Sequence, residues 1–138
     1  TPNYKLDTEV REKDLKGNLI LIGGPTANMI TNRINTKLPV SIDLRHDVKI
    51  FSSLSRKSYA EDENGMIVVK ENPWDKDSKI LVVAGKRFQG TRAAIIALIT
   101  KSEKIFSGNK YDKSVTAKVV RGYDMDGDGI IDSAEILE

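Results

Sequence analysis

Two stretches of this chain each place an unbroken apolar run directly before a glycine turn and a helical pattern. In "NLILIGGPTANMITNRINTKL" the run is closed by Gly23, Gly24 and Pro25. Ala27, Ile30, Ile34 and Leu38 then follow at helical spacing, with Thr26 as the expected N-cap. In "KILVVAGKRFQGTRAAIIALITKSEKIF" the run meets Gly85, and Ala94, Ile95, Leu98 and Ile99 carry the helix, with Thr91 as its expected cap. Short apolar runs bounded by Gly and Pro read as buried strands. Two such strand–turn–helix units predict an α/β fold, a three-layer sandwich around a mixed, partly parallel sheet.

The segments between them read differently. "VSIDL" alternates Val40, Ile42 and Leu44, the period of a half-exposed strand. "VKIFSSLS" and "GMIVVKENP" are further strand candidates, and "SYAEDEN" reads as a turn or exposed hairpin loop. These alternating strands are expected at an antiparallel edge of the sheet. Near the start, Asp7 or Thr8 is positioned to cap a short helix ending before Gly17. "KSVTAKVV" reads as a last strand leading into the tail. The chain divides into an α/β part, 1–123, and a tail, 124–138, packed on it or extending from it.

Composition narrows the function. A length of 138 residues suffices for one domain with a real core. The net charge of +2 is too small to imply nucleic acid or an anionic membrane as partner. The absence of cysteine removes disulfides, thiolate zinc sites and cysteine nucleophiles. His46, the one histidine, lies among charges and has no triad companions, which marks a surface loop residue. No segment approaches the roughly 20 apolar residues of a membrane span. Nothing supplies an acid–base pair or nucleophile, so the chain is not expected to be an enzyme.

The tail, "DMDGDGIIDSAEILE", is where the acids gather: Asp124, Asp126, Asp128, Asp132, Glu135 and Glu138, with no Lys or Arg between them. Its spacing matches the EF-hand calcium loop, D-x-[DN]-x-[DN]-G-x5-E. Asp124, Asp126 and Asp128 fill positions 1, 3 and 5, and Gly129 makes the sharp turn at position 6. Ile130 offers a backbone carbonyl, Asp132 acts through water, and Glu135 binds with both oxygens. Calcium wants six to eight oxygens, and alternate carboxylates on a curled loop converge on one point. The flanks are not those of an EF-hand: "TAKVVRGY" reads as strand, and any exiting helix is one turn at most. "NPWDKDSK" is no partner loop, because Lys79 stands at its position 5. A lone loop of this kind suits a structural site rather than a paired sensor. Extracellular calcium loops bind at about 10⁻⁴ to 10⁻³ M, which favours an exterior location.

The glycine turns also raise phosphate binding, since a helix start presents N–H groups and positive charge. "LILIGGPTAN" is neither G-x-G-x-x-G nor a Walker A loop, however. Lys86, Arg87 and Arg92 near the second helix start leave room for an anion or glycan. Trp74 reads as an anchor at the core edge.

Taken in order, "LILIGGPTAN", "ENPWDKDSKILVVAGKRFQGTRAA" and "VVRGYDMDGDGIIDSAEILE" resemble the archaeal surface-layer (S-layer) protein family. The matching positions are Gly23, Gly24, Pro25 and Asn28; Asn72, Pro73 and Trp74; Val83, Ala84, Gly85, Gly90, Thr91, Ala93 and Ala94; and Tyr123 to Asp132. The resemblance runs from about Leu6 to the end and is weakest over about 36–64. It implies a noncatalytic cell-surface protein, extracellular, that self-associates or joins other surface-layer subunits in a lattice, with Ca²⁺ as its ion. This chain is far shorter than a full surface-layer protein and fits one excised domain or a small relative. Two alternatives stay open: a calcium-organised module that binds wall polymer, a cell-wall glycan, or a partner protein; and a small flavodoxin-like nucleotide-binding domain.

Overall fold

The computed structural model describes residues 3–138. Its centre is a five-stranded sheet built from β1 (Leu19–Ile22), β5 (Asn64–Asn72), β6 (Asp75–Gly85), β7 (Ala117–Tyr123) and β8 (Ser133–Ile136). The strand order is β1-β6-β5-β7-β8. β1 runs parallel to β6 and the other neighbours are antiparallel, so the sheet is mixed and partly parallel as expected. With a single parallel pair it is not a doubly wound flavodoxin-like sheet.

One face of the sheet carries α2 (Phe88–Thr100) and the short α3 (Ser102–Ile105). Ile67, Val83, Val120, Ile131 and Ala134 meet Ala93, Ala94 and Ala97 there. Alanines on that helix stripe bring its backbone close to the strands. Three glycines make the contact closer still. A Cβ on Gly90 would lie 1.8 Å from the Asn64 carbonyl oxygen, and one on Gly65 would lie 2.1 Å from that of Gly90. A Cβ on Gly85 would meet the Thr91 nitrogen at 2.2 Å. Gly85 and Gly90 are thus packing glycines. The helix also begins earlier than expected. Its N-cap residue is Arg87, which makes no side-chain cap bond, and Thr91 lies inside the first turns.

The opposite face is covered by a second, three-stranded antiparallel sheet, β2 (Val40–Asp43), β3 (Lys49–Ser52) and β4 (Lys57–Tyr59), together with α1 (Met29–Ile34). Val40, Ile42 and Ile50 pack there against Met66, Val68, Val82 and Val119. The expectation of an antiparallel edge is therefore corrected. Local alternation reports one buried face, and β2 and β3 bury theirs on top of the central sheet instead of beside it. β4 overlaps the start of the segment expected as a loop. The layers are helix, sheet, and small sheet with helix.

β1 also departs from expectation. It is an edge strand, and although Leu21 is buried, Ile20 and Ile22 are 67% and 56% exposed on the α2 face. α2 crosses the sheet over its other strands and leaves that corner uncovered. Capping differs at α1 as well. Asn28, not Thr26, accepts from the Ile30 and Thr31 amides at 2.9 and 3.1 Å. Asp7 does cap a helix, but the distant one: its carboxylate accepts from the Met29 amide at 2.8 Å. The expected helix around it is two 3₁₀ turns, Asp7–Glu9 and Glu12–Leu15. Trp74 packs at the edge of the core beneath the Arg33 guanidinium, 4.9 Å from its ring centroid.

Candidate metal centre

The acidic loop joins β7 to β8 as a hairpin. Sequence alone gives no second strand here, yet Ser133–Ile136 pair with Val120–Tyr123 in antiparallel register. The one-turn helix allowed after Glu135 is replaced by β8. The physical reason is packing: Ala134 and Ile131 bury against the α2 layer, and a strand presents them on one face. The Asp132 amide closes the loop on the Tyr123 carbonyl at 2.9 Å. Gly127 and Gly129 have φ of 77° and 87°, a conformation that favours glycine.

Inside the loop the carboxylates fold onto the backbone. Asp124 accepts from the amides of Gly127 at 2.8 Å, Asp128 at 3.2 Å and Gly129 at 2.6 Å. Asp126 accepts from Asp128 at 3.1 Å, and Asp128 accepts from Ile130 at 2.9 Å. One oxygen from each of Asp124, Asp126 and Asp128 lies within 4.8 Å of the others. Oxygens sharing one calcium at about 2.4 Å stand at most about 4.8 Å apart, so the three carboxylates are close enough together to share one ion. The Gly129 amide, the chief cause, holds the Asp124 carboxyl below the usual carboxylate range. Asp126 is the reverse. The Asp128 amide draws it down, but its Asp124, Asp128 and Asp132 neighbours and partial desolvation outweigh that, and its carboxyl lies above the usual range. Crowded like charges of this kind favour a proton or a cation.

The remaining predicted ligands lie outside that trio. Asp132 clamps the loop entrance, accepting from the amides of Met125 at 2.9 Å and Asp126 at 3.3 Å. Glu135 stands on β8 opposite Arg121 and accepts from the Tyr123 hydroxyl at 2.6 Å. Ile130 is exposed at the loop tip.

Glu138 has a role its sequence position does not suggest. Its side chain is buried and accepts from the Ser52 and Ser55 hydroxyls, both at 2.7 Å, the Tyr59 hydroxyl at 2.5 Å, and Asn109 Nδ2 at 3.0 Å. It ties the end of the chain to the upper sheet. Its donors come from two segments far away in sequence, so no local pattern signals it. Lys86, Arg87 and Arg92 are likewise engaged within the molecule. Lys86 and Arg87 pair with Asp62, and Arg92 donates to the Ile131 carbonyl, pinning the base of the loop to α2.

The family model described as "S-layer like family, outer domain" matches residues 1–102. The chain belongs to this family. Membership gives the domain a cell-surface, structural setting, in keeping with the resemblance of its motifs. The acidic loop lies beyond the residues that the S-layer family model matches. The S-layer domain is also similar to an uncharacterized protein of Methanocaldococcus jannaschii, at 30% identity over 83 residues. That match covers 60% of this chain and 16% of the relative, so the domain spans a small part of that protein's length. No solved structure matches the chain. Among the described residues, no helix is long and apolar enough to cross a membrane.

Proposed function

We propose that this chain is a noncatalytic, calcium-binding structural domain of an extracellular surface layer, and that it contributes to lattice assembly. The observation that carries the reading is the convergence of Asp124, Asp126 and Asp128 within 4.8 Å on a hairpin of a surface-layer-family domain. These three would hold the ion. The Ile130 carbonyl, Asp132 through water, and Glu135 are the further ligands the motif assigns, and Glu135 accepts from the Tyr123 hydroxyl with one oxygen. Calcium would supply positive charge to a loop whose carboxylates otherwise repel one another.

The metal reading is tested by calorimetric titration with calcium, with magnesium as control, alongside thermal unfolding in EDTA and in calcium. Binding at about 10⁻⁴ to 10⁻³ M is expected. At a hundredfold excess over Kd, linkage raises stability by about 2.7 kcal/mol. Asp124→Ala with Glu135→Ala should abolish both effects. Neither heat nor stabilisation in wild-type protein at millimolar calcium would overturn it.

A further inference from the structure

The two ends of the β7–β8 pair carry opposite charge. At one end stands the acidic loop, with Asp126, Asp128 and Asp132 exposed and Asp124 half-buried. At the other end, α3 and the chain leading into β7 bring together Lys101, Lys104, Lys110, Lys113 and Lys118 against only Glu103 and Asp112 over the same stretch. Among the described residues, none of these lysines and none of the loop acids forms an ion pair within the molecule.

The basic end is also concave. A cavity of about 340 Å³ is lined by Lys101, Lys104, Ser107, Lys118, Glu135 and Ile136. Lys118 is only 5% exposed, and its ammonium makes one long bond, 3.3 Å, to the Glu138 carbonyl. The charge of Glu138 answers Lys118 in part, whereas Lys101 and Lys104 have no acid paired with them. The single acid on the cavity wall, Glu135, is already engaged by Tyr123. The cavity wall therefore carries more positive than negative charge, three lysines against one acid.

We propose that this cavity receives the acidic loop of a second copy of the chain. Charge complementarity selects the occupant. The loop protrudes, and Met125 and Ile130 are exposed on it beside the carboxylates, to meet Ile136 and the exposed Phe106. With one calcium bound, its four acids still outnumber the two charges of the ion, so the attraction survives loading. Geometry sets the outcome. Six residues of extended strand separate Lys118 from Asp124, about 20 Å. Donor and acceptor surfaces at opposite ends of one strand pair make a head-to-tail contact, which builds an open array unless its rotation closes a ring. The contact rests on the lattice reading above and gives it a specific interface.

The experiment is sedimentation equilibrium of the whole chain, in EDTA and in calcium, at about 50 and about 500 mM salt, where screening shortens from about 14 to about 4 Å. Wild-type protein is expected to form a ladder of oligomers whose association weakens at least about tenfold at the higher salt. Lys101→Glu with Lys104→Glu, and separately Asp126→Lys with Asp128→Lys, should each be monomeric. Their equimolar mixture should restore association, because the retained loop of one meets the retained cavity of the other and the two reversed surfaces also attract. Asp126→Asn with Asp128→Asn serves as the loop variant should the lysines disturb the hairpin. A monomeric wild type at every concentration would overturn the proposal, while calcium titration would still judge the metal reading independently. Oligomers indifferent to salt and to both reversals, or variants that fail to pair when mixed, would overturn this contact and leave self-association standing.

Discussion

Replacing Glu138 tests how the end of the chain holds the two sheets together. Its carboxylate receives four hydrogen bonds, three from hydroxyls of the β3–β4 region and one from Asn109. Hydrogen bonds to a charged acceptor contribute about 1.5–3 kcal/mol each, and a buried donor left alone costs about 1–3 kcal/mol. The losses do not simply add. Hydroxyls rotate, the Ser52 oxygen still accepts from the Ser55 amide, and Asn109 keeps its bond to the Ala117 carbonyl. Glu138→Ala is therefore expected to cost about 3–5 kcal/mol, the range for stripping one partner from a buried polar cluster. For a chain of this length that lowers Tm by about 10–17 °C. Glu138→Gln keeps the volume and one acceptor, and should cost about 1–2 kcal/mol.

The acid limb sharpens the test. Burial pushes the Glu138 carboxyl up, but Tyr59, Ser55, Asn109 and Ser52 together hold it below its ordinary value of 4.5. A carboxylate depressed in the folded state stabilises fully above its unfolded pKa and loses that contribution as pH falls through the folded value. Wild-type protein should thus weaken as pH drops below about 4.5, and Glu138→Gln should flatten that dependence. Thermal or urea unfolding across pH measures both. A Glu138→Ala protein within about 1 kcal/mol of wild type at neutral pH, or a Gln variant with an unchanged acid limb, would refute the reasoning.

Three further outcomes follow from other parts of the molecule. Gly90→Ala places a methyl against the Asn64 carbonyl, 1.8 Å away, where backbone cannot yield. It should destabilise by more than about 3 kcal/mol in urea unfolding. Asn28→Ala removes the cap of α1 and should cost about 1 kcal/mol, whereas Thr26→Ala should be nearly silent. Calcium affinity should fall as pH is lowered toward the carboxylate range, beginning above the ordinary aspartate value of 3.8, because Asp126 takes up its proton more readily than an ordinary aspartate. Calorimetry at several pH values reads that directly, and affinity flat across this range would contradict it.

Sequence periodicity carried the elements whose signal is local. β1, β6 and α2 follow from apolar runs and helical spacing, and the mixed sheet follows from their order. What periodicity cannot carry is the partner. β2 and β3 alternate whether they lie beside the sheet or above it, and only tertiary packing decides. Four buried asparagines show the same limit. Asn35 exchanges two bonds with the Ile42 backbone, and Asn72 holds the Leu15 and Gly17 carbonyls. Asn64 reaches the Val120 carbonyl and Asn109 that of Ala117. Each satisfies backbone groups that a neighbouring element leaves open, which no single-segment pattern announces. Within the loop the motif located the acids and the Gly129 turn, while the destination of Glu135 depended on an unforeseen strand.

That strand changes what metal binding does to the protein. A detachable tail would gain order on binding calcium and leave the core indifferent. Here Ile131 is buried against Gly122 and Ala93, its carbonyl is held by Arg92, and β8 leads within two residues to the buried Glu138. Loop, sheet edge and latch are consecutive in the chain and share contacts, so their stabilities are coupled. Calcium that holds Asp124, Asp126 and Asp128 together would also restrain β8, and through β8 the Glu138 cluster. Calcium should then slow amide exchange at Val120, Gly122 and Ala134 as well as within the loop. Protection confined to residues 124–132 would mean that the hairpin binds metal without transmitting it to the sheet.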